Sequence, residues 1–78
     1  MKTSRQTACS LQVRIARNLR ERRVSLGYSQ EDFADICGYH RTYIGSIERS
    51  ERNITVSTLS ALAEALEIDP IELLKDNG

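Results

Sequence analysis

Catalytic and metal-binding equipment is what this chain most plainly lacks. Its 78 residues hold one histidine and two cysteines. No glycine-rich phosphate loop is present, so neither a nucleophile–base set nor a nucleotide cradle can be assembled, and an enzyme is not expected. Cys37 and His40 stand three apart and could be combined with Cys9, but a structural zinc site wants four ligands, so neither metal nor cofactor is expected. No apolar run approaches the roughly 20 residues that span a bilayer, and the opening MKTSRQTACS lacks the apolar stretch of a signal peptide. With Cys9 in an expected tail and Cys37 on an expected core face, a disulfide is not expected and a reducing, cytoplasmic setting fits. Internal repeats, low-complexity tracts and linkers are also missing from the sequence.

Net charge is absent too: 11 basic residues balance 11 acidic ones. The balance conceals a polarity. Met1 to Tyr28 holds seven basic residues (Lys2, Arg5, Arg14, Arg17, Arg20, Arg22, Arg23) against Glu21 alone, whereas from Ile54 onward Glu64, Glu67, Asp69, Glu72 and Asp76 face only Lys75. One end can meet phosphate while the other stays in solvent. A chain this short supports only a marginal core, so a single domain that gains stability by dimerising is expected.

What is present reads as helices throughout. Residues 1–10 read as a flexible N-terminal arm, 11–75 as the folded domain and 76–78 as a C-terminal tail. A first helix from about Leu11 to Leu26 carries Leu11, Ile15, Leu19 and Leu26 near one face, and Gly27 ends it. Ser29 is an N-cap for a second helix, with Asp32 supporting the cap and Phe33, Ala34 and Cys37 facing inward before Gly38. A third begins near Arg41, where Tyr43, Ile44 and Ile47 recur at helical spacing while Arg41, Thr42, Gly45, Ser46 and Arg49 interleave. Gly45 there suits a helix pressed against a partner, since an interior glycine otherwise loses up to about 1 kcal/mol. Thr55 or Ser57 caps a fourth helix bearing Leu59, Leu62, Ala63 and Leu66. Asp69-Pro70-Ile71-Glu72 opens a short fifth helix to about Lys75, with Ile71 and Leu74 as its apolar contacts. The fold class expected is all-α with five helices.

Two short helices joined by a tight turn, the second with a polar leading edge, are the arrangement that places side chains in a DNA groove. The segment GYSQEDFADICGYHRTYIGSIERSERNITVSTLSALAEALEIDPIELL resembles the lambda-repressor-like, XRE-type helix-turn-helix domains of bacterial and phage regulators. Its RTYIGSIERSERNIT run is especially similar to the controller proteins of restriction–modification systems and to short repressors of that kind.

The resemblance implies residue roles. Gln30 matches a glutamine that contacts a phosphate and braces the recognition helix. Arg41, Thr42, Tyr43 and Ser46 match base- and backbone-reading positions; arginine can donate two hydrogen bonds to guanine and the threonine methyl can meet that of thymine. His40 replaces the small hydroxyl residue usual at its place, leaving open both a cap role and a base contact. Arg49 shares the polar face of the third helix. Arg52 and Asn53 match a phosphate-holding loop and Ser57 adds a contact from the fourth helix, although loop polarity alone would explain the first two. Arg23 and Glu48 match an internal salt bridge. Glu31 and Asp35 match acids through which some members touch RNA polymerase, yet acids near a helix N-terminus are favoured by its dipole anyway. The basic arm either enters a minor groove or is a disordered tail.

The function expected is that of a transcriptional repressor or autoregulator, with activation also open, binding a palindromic double-stranded operator as a homodimer. No small-molecule ligand is expected. The rival is an antitoxin or co-regulator acting through protein contacts, which would want apolar anchors on the third helix. Dimer contacts could come from the last two helices or from Ile36.

Overall fold

A computed structural model describes residues 3–76, and side chains from residue 11 onward. Four α-helices follow one another: α1 (Thr3–Ser25), α2 (Gln30–Cys37), α3 (Arg41–Glu48) and α4 (Val56–Leu66), closed by a 3-10 turn at Pro70–Leu73. No strand occurs among the described residues. The architecture is therefore all-helical with a helix-turn-helix at its centre, and the fifth α-helix is corrected to a single 3-10 turn. The segment is too short to nucleate an α-helix, and its amides bond three residues back instead, Glu72 to the Asp69 carbonyl and Leu74 to that of Ile71, each at 2.9 Å. Asn18 Nδ2 of α1 then donates to the backbone carbonyls of Leu73 and Lys75, at 2.9 and 2.8 Å, acceptors that the end of the turn leaves open. Within the turn, Leu73 is fully buried while Ile71 is 61% exposed, so the inward residue is neither of the two expected to lead.

The first helix also departs from expectation, beginning at Thr3 rather than near Leu11. Residues 3–10 contain neither proline nor glycine and lack an apolar period, so spacing gave no sign of a helix that backbone continuity with the rest of α1 supports. The side chains of Arg5 and Cys9, like Lys2 and the tail residues 77–78, lie outside the described residues.

The core collects Leu19 from α1, Phe33 and Ala34 from α2, Ile44 and Ile47 from α3, Leu62, Ala63 and Leu66 from α4, and Leu73. Ile15, Leu26, Cys37, Tyr43 and Leu59 pack around it, half-buried. Burial pushes the Cys37 thiol up to about 11, because the thiolate is the form that loses hydration. Each of the last three helices has a side-chain N-cap. Ser29 accepts from the Asp32 amide and Thr55, rather than Ser57, from the Thr58 amide, while His40 caps α3. Gly38, at φ +80°, turns the chain out of α2 in the left-handed conformation that costs glycine nothing. Glu67 does the same for α4 at φ +62° without that freedom. Arg22 Nε donates to the Leu66 carbonyl at 3.0 Å, satisfying one of the acceptors left open at the C-terminus of α4.

Candidate nucleic-acid interface

The turn between α2 and α3 is Gly38-Tyr39-His40, short enough to hold the two helices in fixed relation. What fixes it from within is one buried ion pair. Arg23 of α1 donates from Nε to Glu48 Oε2 at 2.7 Å and from Nη2 to Oε1 at 3.1 Å, and from Nη1 to the Tyr28 carbonyl at 2.7 Å. The two side chains are only 10% and 4% exposed. A bidentate pair in so dry a place sets the roll of α3 about its axis. Arg23 is accordingly bound up with the fold and is not on the surface.

Gln30 opens α2 and reaches the same carboxylate, its Nε2 donating to Glu48 Oε1 at 3.0 Å. Its other amide atom, Oε1, lies 3.4 Å from where a Cβ on Gly45 would stand, and Arg49 Nη1 lies 3.2 Å from it. The missing side chain at position 45 thus opens the space that Gln30 and Arg49 share above α3. Arg49 is exposed and bonds Glu51 at 3.1 Å, whose hydrogen bond and charge raise its basicity further.

His40 is the N-cap of α3, with extended backbone (φ −79°, ψ 145°), and its Nδ1 accepts from the Thr42 amide at 3.1 Å. Arg41 and Thr42 follow, both exposed; Tyr43 is half-buried. The ring of Tyr43 meets that of Tyr39 at 5.3 Å between centroids, tilted by 53°, and the Arg52 guanidinium lies 5.3 Å over its centre. Ser46 is 6% exposed. Its hydroxyl donates to the Tyr43 carbonyl at 2.7 Å and accepts from Arg52 Nε at 3.1 Å. An expected reader of DNA is therefore buried, and what it does is hold Arg52 against Tyr43.

In the loop, Asn53 accepts a hydrogen bond from Gln12 of α1 through Oδ1. Ser57, second in α4, is exposed and stands apart from these clusters, and Glu31 and Asp35 are exposed on α2. The structure thus joins Arg23, Glu48 and Gln30 into one group and Tyr43, Ser46 and Arg52 into another. Sequence reasoning missed Gln12, Tyr39 and Glu51. Tyr39 and Glu51 each sit next to a recognised position and had aromatic or opposite-charge character as a signal; Gln12 lies 41 residues from its partner and had none. Among the described residues, no cluster of metal-ligating side chains forms and no helix is long and apolar enough to cross a membrane.

Comparison with known proteins agrees with this geometry. The control protein C.SmaI of Serratia marcescens is 52% identical over 64 residues, spanning 82% of this chain and 76% of its own. The crystal structure of the hypothetical transcription factor NHTF from Neisseria superposes with a TM-score of 0.84 at 39% identity, over 86% of this chain and 77% of that one. The restriction–modification controller protein C.Esp1396I, solved as a tetramer with its natural 35 base-pair operator, gives 0.73 at 32% identity over 83% and 96%. The family model for helix-turn-helix proteins (HTH_3) matches residues 19–73, and the chain belongs to this XRE-like helix-turn-helix family, together with controller proteins of restriction–modification systems.

Proposed function

We propose that the protein is a sequence-specific regulator of transcription that binds a palindromic operator as a homodimer, setting α3 of each subunit into the major groove. The observation that carries this reading is the edge formed by His40, Arg41 and Thr42. These three exposed polar residues stand at the start of a helix whose opposite face is locked into the core by Ile44, Ile47 and Glu48. A rigid helix with a free polar N-terminus is what direct readout of base edges requires. Gln30, Arg49, Arg52 and Asn53 are assigned to the flanking phosphates and Ser57 to an outer contact, with Tyr43 beside the bases. Ser46 acts through Arg52.

The operator complex of C.Esp1396I supports the same role here. Ile36, Val56 and Ile71, at 50%, 80% and 61% exposure, are apolar surface available for self-association. A dimer would place its two recognition helices about 34 Å apart, or a multiple of that. Glu31 and Asp35 would face RNA polymerase if the regulator also activates. The protein-docking alternative is disfavoured by the exposed residues of α3 and its C-cap, Arg41, Thr42 and Arg49, among which there is no aliphatic anchor.

The test is a titration of purified protein against the DNA upstream of its own coding sequence and against random DNA, at two salt concentrations. Discrimination on the order of 10³ or more, with affinity falling as salt rises, is the expected result. Equally weak binding to both would sink the autoregulator reading.

A further inference from the structure

We propose that His40 reads DNA as a neutral imidazole, its Nε2–H donating to an acceptor atom of the operator, so that acidification weakens binding. The inference rests on the DNA-binding reading above and extends it to the protonation state of one side chain.

A capping side chain must accept, and His40 does so through Nδ1, taking the Thr42 amide at 3.1 Å. A ring nitrogen that accepts carries no proton, so in the neutral ring the proton sits on Nε2. Nε2 is at the far side of the ring from the Cβ, and no described residue accepts from it, so an exposed donor stands beside Arg41 and Thr42 at the front of the helix. A serine or threonine cap would end short of that point. The acceptor it would find is a phosphate oxygen or the N7, O6 or O4 edge of a base, whereas the exocyclic amines of adenine and cytosine would be refused.

Protonation removes the arrangement. An imidazolium bears hydrogen on both nitrogens, so Nδ1 can no longer accept and the Thr42 amide is left facing another donor. The charge would also stand at the positive end of α3 and next to Arg41. Glu31 and Asp35 of α2, which line the same shallow cleft with Tyr39, His40 and Arg41, favour the charged ring. They are solvent-exposed, where such attraction is screened. Losing the cap frays the turn that carries Arg41 and Thr42, the two residues assigned to the bases. An imidazolium drawn to phosphate would give the opposite slope, which makes the sign of the pH dependence decisive.

His40 is the only histidine in the chain, so the imidazole signals belong to it alone, and the difference between wild type and H40S separates its part of the pH dependence of binding from that of the α-amino group. In the free protein, nitrogen-15 NMR of the imidazole should show the Nε2–H form at pH 8, with the Thr42 amide shifting as the ring titrates. In the bound state, affinity for the operator is measured from about pH 8 to about pH 5.5, above the range of ordinary carboxylates, for wild type and for H40S, which keeps a cap. Relative to H40S, wild type should lose about five- to tenfold on acidification, the worth of a helix cap. A randomised operator library separates the acceptors: altered preference at one base pair in H40S indicates a base edge, and uniform weakening a phosphate. An Nδ1–H form at pH 8, or wild-type affinity that rises relative to H40S as pH falls, would overturn the proposal. So would identical affinity and preference in the two proteins with the operator still bound, which leaves the DNA-binding reading standing. Failure of wild type to bind any DNA overturns both.

Discussion

Gln30 and Arg23, from different helices, share one buried acceptor: Glu48 takes Nε2 of Gln30 at 3.0 Å and the guanidinium of Arg23 at 2.7 Å. The ion pair that holds α3 against α1 therefore also orients the residue assigned to a phosphate. E48A would strand the Arg23 charge in a dry site and is expected to cost about 3–5 kcal/mol in urea denaturation. R23M/E48L, which removes both charges, should recover much of that stability but not operator affinity, since Gln30 keeps no anchor. Full recovery of affinity by the double variant would show that Gln30 needs none.

Gly45 makes an independent check on the same cluster. Its backbone is helical, so alanine gains up to about 1 kcal/mol of helix propensity. The new Cβ meets Arg49 Nη1 at 3.2 Å and Gln30 Oε1 at 3.4 Å, both ends of flexible side chains that can yield. G45A should thus melt no lower than wild type and bind operator more weakly, because Gln30 and Arg49 are pushed from their shared space. Unchanged affinity would mean that this space has no part in docking.

Glu67 offers a stabilising change. It ends α4 at φ +62°, a left-handed conformation that costs a side chain about 1 kcal/mol and glycine nothing. The residue is exposed and no described residue bonds its carboxylate, so E67G should raise the thermal midpoint by several degrees, as about 1 kcal/mol does in a domain of this size. Operator affinity per folded molecule should not change.

These relationships differ in how far the sequence disclosed them. Phe33 and Ala34, Ile44 and Ile47, and Leu62, Ala63 and Leu66 recur at helical spacing and all are buried, because a solvated helix must hide one stripe. The same spacing misleads at the C-terminus, where it points Ile71 and Leu74 inward and Leu73 is the buried residue, since a 3-10 turn rotates side chains differently from an α-helix. The segment 3–10 of α1 has no stripe to read. At the site, Arg23 with Glu48 was legible through family resemblance. The burial of Ser46, the stacking of Arg52 on Tyr43 and the bond from Gln12 to Asn53 arise only when separate segments are brought together, and no local pattern encodes them.

Cys37 predicts a pH effect of definite sign. Burial raises its thiol from the ordinary 9.0 to about 11, so the folded state disfavours the thiolate. Stability from this source is present below the unfolded value and declines as pH rises through 9 toward 11. In a C9S background, Cys37 in native protein should react with a disulfide reagent at pH 8 far more slowly than in urea-unfolded protein, by about a hundredfold on thiolate fraction alone. Equal rates would show that the side chain is not held in the core edge where Ala34 and its neighbours place it.

Arg41 separates binding from folding most clearly, because the two should move in opposite directions. It is exposed at the first position of α3, where a cation opposes the helix dipole at a cost of about 0.3–1 kcal/mol. R41A should therefore leave the free protein as stable as wild type or slightly more so. On the operator the same charge meets the negative potential of DNA, and a guanidinium can bond both acceptors of a guanine edge. The substitution is expected to cost about 1–3 kcal/mol of operator affinity and to relax preference at one base pair per half-site. Titration of wild type and R41A against operators varied at single positions, beside random DNA, checks both effects. A base reader loses discrimination, whereas a residue that touches only phosphate weakens specific and random DNA alike, so equal weakening on both would remove Arg41 from the bases and place it on the backbone.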